Sequence, residues 1–265
     1  MASSGCGPDA FLLDEVRAIL KRYGKTLTIL KIDDVNNIGS LKLRVRSLIE
    51  SLKFKSGTAA ADVQPFVTTK PYTKAERRRK LLLPHFSDAH VEVIEALFRT
   101  AGYDAETLPR PDGATVDCGL KYANNEVCYP ATLVVGDMVK ALESGRYDPD
   151  NVALVITQTG GQCRATNYLT LLKKAVVDAG YPQVPVISLT SGGELESGLK
   201  INWFKIAPIA LAALIYGDCM AKFYFAAVVR ERMKGEAERL RRHFIAEALP
   251  HIARRDTDAL FRLLG

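Results

Sequence analysis

The sequence predicts an α/β domain built on a doubly wound parallel sheet, with a short helical appendage ahead of it. Three observations carry that expectation. First, an amphipathic helix ending at glycine and followed by a β-rich run recurs at "RYGKTLTILKI", "TAGYDAETL", "ESGRYDPDNVALVIT" and "DAGYPQVPVISL". Gly24, Gly102, Gly145 and Gly180 suit the left-handed position just past a helix, so each marks a helix-to-strand connection. Second, short apolar strands alternate with helices, the order of a parallel sheet with right-handed crossovers. Third, 265 residues with ordinary apolar (48%) and charged (25%) fractions are enough to bury a sizeable core.

Strands are expected near 80–86, 105–108, 152–158 and 184–189, and helices near 88–101, 130–144, 165–179 and 203–234. The fold class is therefore Rossmann/flavodoxin-like, and it occupies residues 77–235. Residues 1–54 read as a helix-strand-helix segment whose single strand needs a partner elsewhere. Residues 55–76 have the small, Pro- and Thr-containing composition of a linker, and residues 236–265 form a C-terminal helical tail.

Charge and composition narrow the function classes. The balance of 36 Lys+Arg against 30 Asp+Glu suits anionic ligands without requiring them. The basic run Arg77-Arg78-Arg79-Lys80 has no interleaved aromatic residues and reads as a solvated strand entrance, so no nucleic-acid partner is expected. The opening "MASSGCGPDAF" lacks the basic-then-apolar pattern of a secretion signal, which points to the cytoplasm. The segment 206–229 is membrane-like, but Asp218 and Lys222 interrupt it four residues apart; it is expected to be a buried core helix, with those two charges paired or at its polar edge and no membrane partner.

Five cysteines stand at positions 6, 118, 128, 163 and 219, an odd set that argues against a disulfide framework in a reducing compartment. Ligands of an open parallel sheet bind at the carboxyl ends of the strands. Loops expected there are 84–90, 109–130, 159–167 and 190–198, and they hold Cys118, Cys128 and Cys163. In "VITQTGGQCRATNY" a strand runs into Gly160 and Gly161, then Cys163, Arg164 and a helix start. Glycines allow close backbone approach and a helix N-terminus favours negative charge, so the occupant should be an anion: a phosphate, or a metal cluster bound by thiolate. The spacing C-x9-C followed by C-x34-C matches no compact zinc or ferredoxin pattern. A shared metal site and three separate buried thiols both fit these residues, while Cys219 belongs to the core. Cysteine hydrolysis, with His85 or His90 as base beside Cys163, and a zinc site from the three cysteines plus His85 are weaker fits.

"CGLKYANNEVCYPATLVVGDMVKALESGRYD" and "VITQTGGQCRATNYLTLLKKAVVDAGYPQVPVISL" resemble the C-terminal region of the large activase-related proteins of the 2-hydroxyacyl-CoA dehydratase system (CoA-substrate-specific enzyme activases). Residues 5–53, from "GCGPDA" to "SLIESLK", resemble the tail of the dehydratase-type cluster domain just upstream in those proteins. The resemblance extends to about residue 235. Gln162 stands where the family usually has a third glycine, and "SLTSGGELESG" where it has a "SLNLSGLE"-like loop.

The resemblance implies an anaerobic electron-transfer or reductive-dehydration module that is not a complete enzyme alone. It implies an iron-sulfur cluster of the 4Fe-4S type ligated by Cys118, Cys128 and Cys163. Backbone around Gly160 and Gly161 would bond the cluster sulfides, and Arg164 or Lys121 would add positive charge. Cys6 would correspond to a ligand of the upstream cluster domain. An ATPase activase domain or subunit, a dehydratase-type cluster domain and an acyl-CoA are the implied partners, with homodimer formation as a further expectation. The alternative is a metal-free CoA- or nucleotide-binding, or subunit-docking, α/β domain.

Overall fold

The leucine run at 81–83 and the Val/Ile-rich run at 152–156 form the centre of a four-stranded sheet, with the run at 186–189 at one edge, in the computed structural model, which describes residues 8–30, 38–55, 67–124, 127–158, 168–190 and 199–264. Strands β1 (Lys80–Leu83), β2 (Ala105–Thr107), β3 (Val152–Gln158) and β4 (Val186–Thr190) lie in the order β2-β1-β3-β4, and every pairing is parallel. Registers such as Leu81 with Ala105, Leu82 with Leu154 and Val155 with Ile187 fix the alternation of faces. Pro84 ends β1 earlier than expected, because proline cannot donate to a ladder.

Helices cover both faces. On one, Leu82, Leu154 and Val186 pack with Met138 and Leu142 of α5 (Tyr129–Glu143) and Leu172 and Val176 of α6 (Tyr168–Asp178). On the other, Leu81, Leu83, Val155 and Ile187 pack with Phe98 of α3 (Val91–Thr100). Such two-sided burial is why the strands read as continuous apolar runs. The expected left-handed glycines are found: Gly24, Gly102, Gly145 and Gly180 all have positive φ.

Helix α4 (Gly113–Tyr122) lies in a stretch expected to be loop. Its start is a capping box: the Asp112 carboxylate accepts from the Thr115 backbone N–H, and Thr115 Oγ1 accepts from the Asp112 N–H. Helices α4 and α5 touch backbone to backbone. A Cβ added at Gly136 would lie 1.9 Å from the Thr115 carbonyl oxygen, and one at Gly119 would lie 2.1 Å from that of Thr132.

From Trp203 onward the described elements are all helices. Helix α7 (Trp203–Val228) ends six residues before the expected boundary at 234, and α8 (Glu236–Arg254) and α9 (Thr257–Arg262) follow. The break is fixed by Glu231, whose carboxylate accepts from the N–H groups of Gly235 and Ala237 at the start of α8. A separate core joins Ile209, Ala213 and Tyr216 of α7 to Val93 of α3 and to Ile245 and Ile252 of α8. Helix α7 therefore does not sit buried in the interior. Ile206, Ile209, Ala213, Tyr216 and Met220 are buried, whereas Phe204, Leu211, Phe225 and Val229 on the opposite side are exposed. Its residues Phe204–Val228 are long and apolar enough to cross a membrane by composition.

At the N-terminus, α1 (Pro8–Arg22) and α2 (Ile38–Lys55) form as expected, but residues 25–30 join no strand ladder. A lone strand has no hydrogen-bonding partner here, and the Ile29 carbonyl accepts from Arg44 of α2. Residues 67–73, in the expected linker, are docked against the body: Thr69 and Tyr72 are buried, and the Lys70 N–H donates to the Pro182 carbonyl.

Candidate functional site

The chain passes from β2 on one side of β1 to β3 on the other, so the sheet's order reverses beside β1. In an open parallel sheet the crevice beyond the carboxyl ends at such a reversal is where ligands sit. That crevice lies beyond Leu83 of β1 and Gln158 of β3. Different chemistry flanks it on the two faces of the sheet.

On the α5/α6 face are two thiols. Cys118 and Cys128 both border a cluster formed by Val127, Ala131, Val135, Val139 and Leu171, but at opposite ends of α5: Cys128 precedes its first turn and Cys118 meets Glu143 in its last, about 22 Å of helix away, so the expected shared site of these two thiols does not form. Cys118 lies within α4, not in the strand-to-helix loop where it was expected, because the Asp112/Thr115 cap starts a helix ahead of it. Its thiol faces Glu143 Oε2 at 3.8 Å. The same carboxylate accepts from the Tyr122 hydroxyl at 2.6 Å and pairs with Lys121 at 3.5 Å. Burial, reinforced by the Glu143 charge, pushes the Cys118 thiol up to about 11, so in the metal-free protein it is protonated at neutral pH. Cys128 is the residue just before α5, as its position ahead of Pro130 suggested, and its Sγ is 2.8 Å from the Tyr168 hydroxyl.

Cys163, Gly160, Gly161 and Arg164 lie outside the described residues, as does Cys6. Tyr168, the first residue of α6, is the nearest described residue after them, and its contact with Cys128 was not foreseen. Nor did anything in the sequence mark Glu143 as a neighbour of Cys118. Among the described residues, no group of three or more His, Cys, Asp or Glu side chains has a metal-holding arrangement. Cys219 is half-buried against the α3/α7/α8 core, in keeping with a packing role.

On the α3/α7 face the flank is a cavity of about 330 Å³. Leu83, Val155 and Leu189 form its sheet side, Phe98 of α3 and Ile206 and Leu214 of α7 its outer walls. Such a lining accepts hydrocarbon and offers almost no hydrogen bonds. The histidines weighed as bases are already engaged. His85 Nε2 is 2.9 Å from Asp88 Oδ1, while His90 reaches Ser87 Oγ at 3.1 Å through Nδ1 and Asp218 Oδ1 at 3.2 Å through Nε2.

One further polar group lies under the α4/α5 contact. Asp137, 4% exposed, accepts from the Thr115 hydroxyl at 3.0 Å, and Lys140 Nζ donates to Thr115 Oγ1 at 2.7 Å and to Asp112 at 2.8 Å. Burial raises the Asp137 carboxyl above its ordinary range, with the Thr115 bond opposing. The network holds α4, and with it Cys118, against α5. Comparison with protein families, characterised proteins and solved structures gives no match.

Proposed function

We propose that this chain is an iron-sulfur electron-transfer or reductive-dehydration module of the 2-hydroxyacyl-CoA dehydratase and activase type, on a doubly wound, Rossmann/flavodoxin-like fold with an N-terminal helical appendage. One observation carries the reading: the Tyr168 hydroxyl sits against Cys128 Sγ. Tyr168 follows Cys163 by five residues, a span of at most about 18 Å, so the third thiol is tethered to the neighbourhood of the second.

Soft sulfur donors at an apolar, half-buried position suit an iron-sulfur cluster better than a hard cation. A cluster held there by Cys128 and Cys163 would supply one-electron chemistry at low potential; Cys118, beside Glu143 at the far end of α5, lies about a helix length from Cys128 and falls outside that ligand set. Gly160 and Gly161 are the candidates for backbone N–H bonds to it, and Arg164 for added positive charge. The cavity on the opposite face suits the acyl part of a CoA thioester. An ATPase activase and a dehydratase-type cluster domain are the proposed partners, in the cytoplasm.

Anaerobic reconstitution with iron and sulfide, followed by quantification of iron, sulfide and zinc, tests the proposal. The parent protein is expected to retain iron and sulfide, with Cys128→Ser and Cys163→Ser losing them and Cys219→Ser unchanged. Equal iron in the parent and Cys163→Ser would remove Cys163 from the ligand set. A CoA or nucleotide titration then tests the metal-free binding domain that would replace this reading.

A further inference from the structure

The exposed side of α7 carries a pattern that the cluster site does not use. Leu211, Ile215, Asp218, Lys222, Phe225 and Val229 follow one another at spacings of four and three residues, the repeat of a helix-packing seam. All six face away from the core. Leu211 is 63% exposed, Phe225 67% and Val229 78%, and the Asp218 side chain is 76% exposed. The buried positions Ile209, Ala213, Tyr216 and Met220 occupy the other side of the same helix, so the apolar residues of this stripe are left uncovered by the described chain, while Asp218 reaches His90 at its edge.

The order of residues along the seam is symmetric. Reading outward from the level of residue 220 gives Asp218 opposite Lys222, Ile215 opposite Phe225 and Leu211 opposite Val229. A two-fold axis at that level would lay a second α7 antiparallel on the first. Each Asp218 would then meet the second copy's Lys222, and apolar residues would meet apolar residues on either side. An isologous contact requires this self-complementarity, because residue i must suit residue j in both directions. Hydrophobic composition alone does not provide it. A charge pair within an apolar seam costs stability but fixes register and orientation.

We propose that the exposed face of α7 is a homodimer interface, in which two copies pack antiparallel about a two-fold axis near residue 220, with reciprocal Asp218–Lys222 pairs at its centre. The seam from Leu211 to Val229 is about 27 Å long at the rise of an α-helix. Asp218 keeps its contact with His90 of its own chain, which holds the carboxylate at the edge of the helix. The proposal is independent of the cluster reading.

The test is a charge swap in the full chain, read by sedimentation velocity across a concentration series, with thermal unfolding to check the fold. The parent is expected to be a dimer. Asp218→Lys alone and Lys222→Asp alone each place like charges at the centre and should weaken the dimer roughly 100-fold, while the double variant should restore it. An equimolar mixture of the two single variants should form a heterodimer, since lysines of one copy then face aspartates of the other. A parent that stays monomeric at all concentrations, or single variants that dimerise as the parent does, would overturn the proposal. Co-sedimentation with vesicles rich in anionic lipid separates the competing occupant: a monomeric parent that binds vesicles through Phe225 and Val229 would assign this face to a membrane surface instead.

Discussion

Helices α5 and α7 start from similar material and end in different surroundings. Each carries three charged residues, α5 in fifteen positions and α7 in twenty-six, so α7 is the more apolar of the two. Yet α5 is buried almost all round, Asp137 included, while α7 leaves a full apolar stripe in solvent. Layering accounts for the difference. Met138 and Leu142 of α5 press on the sheet, Val135 and Val139 on α6, and Gly136 admits the α4 backbone. Helix α7 has α3, α8 and α9 on one side only. Hydropathy sets how much burial a helix can use, and the number of packed neighbours sets how much it receives.

Breaking the α4/α5 contact should have the largest effect. Gly136→Val puts a branched side chain where even a Cβ would overlap the Thr115 carbonyl, and it should cost about 3 kcal/mol or more in urea unfolding. Leu142→Ala, in the fully packed helix, is expected to cost about 3 kcal/mol, whereas Phe204→Ala at the exposed start of α7 should change stability by less than about 0.5 kcal/mol. Equal losses for that pair would contradict the contrast between the two helices.

Thr115→Ala removes both a cap partner of α4 and the donor to buried Asp137, a loss of about 2 kcal/mol at neutral pH. The loss should be smaller near pH 4. Asp137 already has a raised folded-state carboxyl, and without Thr115 it rises further, so the native state gains on protonation and the deficit grows as pH increases. Unfolding midpoints of parent and variant at the two pH values check this.

A smaller effect concerns the helix that backs α7. Arg241 donates to Glu238 and to the Asp88 carbonyl, tying α8 to the entrance of α3. The Arg241 bonds, followed by that of Arg242, hold the Glu238 carboxyl down at about 2. A depressed carboxyl contributes stability that is fully present above its unfolded value and is lost as pH falls from about 4.5 through about 2. With the side chain 29% exposed, about 1 kcal/mol is expected, and Glu238→Gln should flatten the acid limb of the stability curve by that amount.

Much of this architecture was legible in the chain, for reasons local to it. Glycines past helix ends and runs of Leu, Val and Ile between them mark the strand and helix alternation, and all four strands form where that alternation puts them. Helix α4 was missed because "PDGATVDCGLKY" is polar and glycine-rich, while its stability comes from the Asp112/Thr115 box and from contact with α5. The N-terminal strand was expected from the β-rich run in "RYGKTLTILKI", yet residues 25–30 pair with no edge of the sheet. For the candidate site, Cys128 ahead of its helix was readable from Pro130. The Cys118–Glu143 and Cys128–Tyr168 contacts join residues 25 and 40 positions apart, and no local pattern encodes them.

By itself, the sequence determined what depends on short-range chemistry: the parallel α/β alternation, the helix stops at glycine, the helical run of α7 and the place of Cys128 just ahead of α5. Tertiary structure decided what depends on distant neighbours. It chose which face of α7 is covered, engaged Asp218 with His90 rather than with Lys222 four residues away, and surrounded Cys118 so that its thiol holds its proton. Burial and electrostatic environment are properties of a residue's surroundings in space, and chain order fixes those surroundings only within a few residues.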